Sequence, residues 1–353
     1  MIHTLYVEHE VADHPRTQEI LKRFSTVPRV DCDRYTEIFN LKNQNFRLQK
    51  LRPALILARK YGKRVLPAPD GYGIGGEYNY YFSHMLNCIY DCRYCFLQGM
   101  YRSAHYVLFV NYEDFWGSID RTLVAHKDED VWFFSGYDCD SLALDPVTGF
   151  TSHLLSFLES KSRAFVEMRT KSTQIRTLLS NPAIPNTVVA FSLTPSETTT
   201  RFDHKAPSLE KRLQAMRQLA DRGWRLGARF DPLIWDDGFK DRYRQLFQQV
   251  FEAVSPEALH SVTIGPFRMP KRYFRTLLRL YPEEPLFSGS FSNRGPMVSY
   301  PAPKEEEMTD FCRQELAKYI QPEILFSCSP ETRTQLDHAA VDSQASELLR
   351  ERS

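Results

Sequence analysis

The chain has 353 residues, 42% of them hydrophobic and 25% charged, with a formal net charge of +1. This is the composition of an ordinary soluble globular protein, long enough for one large α/β domain or two smaller ones. It excludes a chain too polar to fold. No apolar run is long enough for a membrane-spanning helix, and the bulk charge does not announce a nucleic-acid binder. The N-terminal MIHTLYVEHEVADHP reaches acids and a proline too early for a secretory signal, so a cytoplasmic location is expected. In that reducing compartment the seven cysteines argue against a disulfide framework.

Residues 1–76 read as an N-terminal subdomain and linker. Asp13 can cap a helix with Pro15 in its first turn and Ile20, Leu21 and Phe24 on one face. The run 54–58, ALILA, reads as a strand. Between Glu37 and Asp70 there is no acid, while Lys42, Arg47, Lys50, Arg52, Arg59, Lys60, Lys63 and Arg64 all fall there. A second acid-free stretch carries Arg268, Lys271, Arg272, Arg275 and Arg279. Such stretches either neutralise phosphates or are solvated faces balanced by acids elsewhere in space. The segment 67–76, PAPDGYGIGG, is turn-rich.

The most informative stretch is 80–102, YYFSHMLNCIYDCRYCFLQGMYR, with Cys88, Cys92 and Cys95 spaced Cys-x3-Cys-x2-Cys. Three thiolates so close can hold three corners of a cubane iron–sulfur cluster and leave the fourth iron open to a small molecule. In radical S-adenosylmethionine (SAM) enzymes that molecule is SAM, and an electron from the cluster cleaves its sulfonium. Two plainer readings compete. A zinc site would normally need four closed ligands, and three cysteines can pack simply as small hydrophobes. Asp91, Arg93 and Gln98 among the thiols suit neither well. Gly75-Gly76-Glu77 has the composition of a SAM-binding motif, but it precedes the cysteines instead of following them and reads as a turn.

From residue 77 to 282, short β-rich runs (78–86, 107–111, 131–135, 164–169, 187–192, 224–230 and 260–264) alternate with amphipathic helical patterns (151–161, 208–222 and 239–254). Ser208 reads as an N-cap and Gly223 as the close of the same helix. This order predicts an α/β fold: an incomplete (β/α) barrel of the radical SAM type, with the small N-terminal α/β subdomain before it. A C-terminal extension, 283–329, should hold a hairpin around Asn293-Arg294-Gly295 and a helix over 305–320. Residues 330–353 form a polar tail with a short helical pattern at 345–350.

Chemistry in such barrels gathers at the C-terminal strand ends. Tyr94 and Phe96 flank the third cluster cysteine; the first is a phenol able to give or take a hydrogen atom, the second core filling. Tyr137, Asp138, Cys139, Asp140 and Ser141 crowd one strand end. There Cys139 could donate a hydrogen atom to a product radical or be inert, and Asp140 could accept from SAM or cap its loop. Lys171 and Ser192 close successive strands, where an ammonium and a hydroxyl can meet the SAM carboxylate.

The pattern resembles the spore photoproduct lyases, a DNA-repair branch of the radical SAM superfamily. The likeness runs through Cys95-Phe96-Leu97-Gln98, Val110 and Asn111, 135–148, Thr170 and Lys171, Phe191 and Ser192, Arg201 and Phe202, and 267–282, covering the chain to about Ser327. The resemblance implies a lyase that uses a 4Fe-4S cluster and SAM to reverse a thymine photolesion. Tyr94, Asp140, Lys171 and Ser192 would lie around SAM, and damaged duplex DNA would be the partner, with Arg294 in the nearest equivalent of the family's DNA-inserting hairpin; Arg268 and Lys271 of the second acid-free stretch are offered as further DNA contacts. An electron donor such as flavodoxin or ferredoxin would supply the reductant. The chain departs from the family in two places: Tyr137 falls at the position of the family's hydrogen-donating cysteine, and Phe96 replaces a tyrosine. A radical SAM enzyme with another substrate, and a non-catalytic nucleic-acid binder with a structural metal, are the alternatives.

Overall fold

The β/α alternation folds into two main sheets, with a two-stranded and a three-stranded sheet beside them among the described residues. The computed structural model describes residues 2–69 and 71–327, so the polar tail and its helical pattern lie outside the described residues. The larger sheet has eight strands, in the order Leu325–Ser327, Leu259–Pro266, Arg225–Leu233, Thr187–Ser192, Ala164–Thr170, Val131–Ser135, Tyr78–Phe82 and Leu66–Pro67. Its neighbours run parallel except for the last, antiparallel pair. The helices Phe150–Leu158, Leu209–Ala220 and Phe239–Ala253 fall where the apolar periodicity predicts them. Ser208 Oγ caps the second by accepting from the Lys211 N–H, and Gly223 ends it at φ 78°.

Side-chain alternation gives this sheet two unlike faces. Phe133, Val166, Met168, Val189, Phe191, Ala228, Phe230, Val262 and Ile264 are buried on one. The other face is concave: the Trp132 and His260 rings, four strands apart in the sheet, meet with centroids 4.9 Å apart. The sheet therefore curls into an incomplete barrel around the second face.

The smaller sheet has the order Arg29–Cys32, Thr4–Glu8, Ala54–Ala58, Tyr106–Phe109 and Met85–Leu86. Two sequence readings are corrected here. The run at 107–111 belongs to this sheet and not to the barrel, pairing in parallel with Ala54–Ala58. Both strands are buried along their whole length, and a strand covered on both faces carries no mark of which sheet it joins. The first helix, Pro15–Arg23, is capped by His14, which accepts from the Arg16 N–H, and not by Asp13. The sheets also share chain on both sides of residue 76, since Leu66–Pro67 pairs with Tyr78–Phe82.

The C-terminal hairpin is present. Ser292–Arg294 and Met297–Ser299 pair antiparallel, with Gly295 at φ 53° in the turn, and Arg268–Pro270 adds a third strand. The helix after it runs Ala302–Leu316. No helix among the described residues is long and apolar enough to cross a membrane.

Candidate active site

The cysteine loop follows Met85–Leu86 of the smaller sheet through Asn87, a left-handed residue (φ 67°) whose side chain donates to the carbonyls of Ser103 (2.7 Å) and His105 (2.8 Å). Asparagine tolerates this conformation better than most residues. Asp91–Cys92 pairs antiparallel with Asp203–His204, and the Arg93 N–H donates to the Phe202 carbonyl at 2.9 Å. After Cys95 the chain turns into the short helix Leu97–Met100, pressed against Lys271–Leu280. A Cβ on Gly99 would stand 2.7 Å from the Tyr273 carbonyl oxygen, so only glycine allows that approach. Arg93 pairs with Asp91 at 2.7 Å and Glu284 at 3.3 Å and lies over the Tyr281 ring. The loop is thus anchored on both flanks.

The three cysteine thiols are brought together. Burial, before the pull of neighbouring charges, pushes Cys88 up to about 12 and raises Cys92 and Cys95 as well. Cations stand ready to balance thiolates. Lys50, only 7% exposed, places Nζ 3.5 Å from the Cys88 carbonyl and 3.3 Å from that of Tyr90. Lys171 lies 5.1 Å from the centre of the Tyr94 ring, and Cys92 and Asp203 together outweigh its burial and raise its pKa.

Behind Tyr94 is a fully buried charge pair that sequence reasoning missed. The Tyr94 hydroxyl donates to the Asp203 carboxylate, which also accepts from Arg212 at 2.7 Å. Arg212 goes on to donate to the Ser192 carbonyl at 3.1 Å. Burial would raise the Asp203 pKa, but Lys171 and Arg212 more than reverse it. Tyr94 and the Ser192 backbone are therefore joined through one carboxylate and one guanidinium, with the Lys171 charge acting on the same carboxylate. Asp203 directly follows Arg201 and Phe202, the only signal in the sequence that could have drawn attention to it.

At the neighbouring strand end Asp140 is occupied with its own loops. It accepts from the Leu142 N–H (3.0 Å), the Ala143 N–H (2.9 Å), the Thr170 hydroxyl (2.7 Å) and the Lys171 N–H (2.7 Å). It positions Lys171 through the backbone. Cys139 is 7% exposed, and burial followed by the charge of Cys88 pushes its thiol well up. The Tyr137 ring lies between Tyr81 (4.6 Å) and Phe96 (5.6 Å), an aromatic wall beside the cluster loop.

The three cations expected to touch DNA lie on or beside one three-stranded sheet, where Arg268 and Arg294 are engaged by acids. Arg268 is in the barrel mouth, donating to Asp231 at 3.2 Å, with Arg169 on the same carboxylate. Arg294, on the hairpin, pairs with Glu305. Lys271 opens its helix with its N–H on the Pro296 carbonyl at 3.0 Å. Part of the first basic stretch is answered by acids, as Arg59 and Arg64 share Asp114 at 3.1 and 3.2 Å.

The spore photoproduct lyase family model matches residues 2–286. The chain belongs to the spore photoproduct lyase family. It is 23% identical to the spore photoproduct lyase of Bacillus subtilis (strain 168) over 291 residues, 80% of this chain and 83% of that one. To that of Geobacillus sp. (strain Y412MC61) it is 25% identical over 202 residues, 56% and 59% of the two chains. A solved mutant spore photoproduct lyase with bound AdoMet and dinucleoside spore photoproduct shares the fold, with a TM-score of 0.78 at 19% identity over 93% of this chain and 98% of that one.

The cofactors of this family are a 4Fe-4S cluster and SAM, and the residues fit them. Among the described residues no group of three or more His, Cys, Asp and Glu is close enough to hold a single metal ion. Three neighbouring thiols, with the Lys171 charge beside Cys92 and Cys95, are the number a cubane takes when its fourth iron is left to SAM.

Proposed function

We propose that this protein is a radical SAM lyase that reverses a thymine photolesion in DNA, with Cys88, Cys92 and Cys95 holding the 4Fe-4S cluster. One observation carries the reading: three neighbouring thiols, Cys92 buried and Cys88 and Cys95 half-buried, beside Lys171 and a Tyr94 held by buried Asp203, at the C-terminal strand ends of an incomplete barrel. When bound, the reduced cluster supplies the electron that cleaves SAM and begins hydrogen abstraction from the lesion.

The chain's own residues bind, orient and shelter. Lys171 offers its ammonium to the SAM carboxylate, with Ser192 on the next strand. Tyr94 borders the same space, its hydroxyl held by Asp203. Asp140 fixes the backbone of Lys171. The wall of Tyr81, Tyr137 and Phe96 keeps water from the reacting carbons. Extruding the lesion costs a few kcal/mol and is cheapest where bases are already damaged. Arg268, Lys271 and Arg294 are the cations offered to its phosphates, and a flavodoxin or ferredoxin in the cytoplasm would supply the electron.

The return hydrogen has two candidate sources, the Cys139 thiol and the Tyr137 phenol. Anaerobic incubation of the reconstituted protein with SAM, dithionite and dinucleoside spore photoproduct tests the whole. 5′-Deoxyadenosine together with thymidylyl-thymidine is expected. SAM cleavage without repair would remove the lesion assignment and leave a radical SAM enzyme with another substrate.

A further inference from the structure

The short helix Phe46–Leu51 has two faces with different tasks. Its inward stripe is Phe46 and Lys50, both buried, and Lys50 reaches the carbonyls of Cys88 and Tyr90. Its outward stripe is apolar at the centre, with Leu48 60% and Leu51 71% exposed. Arg47 and Arg52 are exposed on either side. Exposed Lys205 adds a third cation, donating from Nζ to the Lys50 carbonyl at 3.3 Å. The outer leucines are separated from the cluster loop by a single helix, about 10 Å across.

We propose that this outward face is the docking surface for a small acidic one-electron carrier protein that reduces the cluster. The proposal rests on the functional reading above, because a cluster that cleaves SAM must be re-reduced from outside. One electron leaves the carrier and is taken up at the Cys88, Cys92 and Cys95 centre, and no atom or proton need cross the interface. An apolar centre rimmed by cations matches the anatomy of a transient protein contact. The cations Arg47, Arg52 and Lys205 complement an acidic partner and speed its encounter. Leucines have nothing to offer a phosphate, so the face suits a protein better than a nucleic-acid backbone. Lys50 makes the short bridge: it is part of the docked helix and touches the loop that holds the cluster.

The test uses the full-length reconstituted protein with a purified flavodoxin as probe and dithionite as the chemical reductant. Two double variants are compared with the unsubstituted protein, Leu48→Ser with Leu51→Ser, and Arg47→Glu with Arg52→Glu. Each should weaken flavodoxin affinity about tenfold or more by calorimetry. Flavodoxin-driven SAM cleavage should fall with it, while dithionite-driven cleavage and iron content stay at the unsubstituted level. Unchanged flavodoxin affinity in both variants overturns the proposal. So does loss of duplex DNA binding with flavodoxin binding intact, which would make this a nucleic-acid face. Failure of the unsubstituted protein to cleave SAM with dithionite would sink the functional reading and this proposal with it.

Discussion

The two ends of the barrel are built from the same strands and solve opposite problems. At the N-terminal end the concave face is filled by Ile74, Trp132, Val188, Phe165 and Phe326. Gly76 presses on the indole so closely that a Cβ there would lie 2.0 Å from Trp132 Cδ1. One layer up, Arg229 forks onto Glu167 at 3.2 and 2.9 Å and onto Ser261. Higher still come Asp231 with Arg169 and Arg268, and at the rim the thiols with Lys171. The closed end is stabilised by volume and the open end by paired charge. Buried charges at the rim add little net stability, since pairing barely offsets desolvation, but they fix the orientation of groups a cofactor must meet.

The comparison can be tested at both ends, beginning with the largest effect. Replacing Cys88, Cys92 or Cys95 by alanine should abolish SAM cleavage and iron loading, measured by 5′-deoxyadenosine formation and iron assay. Substantial residual cleavage in any one would refute the ligand set. Arg212→Met should cost about 3–5 kcal/mol in urea unfolding, because it leaves Asp203 charged and buried without its guanidinium. Trp132→Ala should cost about 3 kcal/mol by the same measurement while kcat for SAM cleavage stays within about twofold, as the cavity opens far from the thiols. A large loss of kcat there would show that the two ends are not independent. Lys171→Ala should weaken SAM binding by about tenfold, roughly 1.4 kcal/mol, with iron content unchanged in titration.

The smallest effect is a difference in acid sensitivity. Burial, then the nearby Arg229, lowers His260 at the closed end from 6.5 to about 4. A folded pKa below the unfolded one means stability present above pH 6.5 and lost progressively as pH falls toward 4. Asp231 at the open end is also lowered: burial would raise it, but Arg268 and Arg169 outweigh that. Its contribution is present above its ordinary value of 3.8 and is lost only as pH falls further. Unfolding followed against pH should therefore soften first through His260, and His260→Gln should remove that earlier limb while Asp231→Asn removes the later one.

Residues close in the chain were legible without the structure. The cysteine spacing, the helix from Leu209 with its Ser208 cap, and the hairpin at Gly295 all depend on neighbours within a few positions. So did the turn at Gly75 and Gly76, although its packing on Trp132 did not. The cap at His14 was missed because Asp13 is the better capping side chain by type and the local geometry selected its neighbour. Arg268 and Arg294 were readable as cations, but their acids, Asp231 and Glu305, are 37 and 11 residues away.

Sequence alone determined the chemistry available to this protein: three thiols at cluster spacing on a β/α frame, with a lysine and a serine closing successive strands. Tertiary structure alone decided which charges meet. Asp203 reaches Tyr94 across 109 residues, Lys50 reaches Cys88 across 38, and the strand at Tyr106–Phe109 was drawn into the smaller sheet. The physical reason is that periodicity and capping act over one or two turns of chain, whereas an ion pair or a strand's choice of sheet depends on what burial brings alongside. Neither leaves a local mark on the residues that will make it.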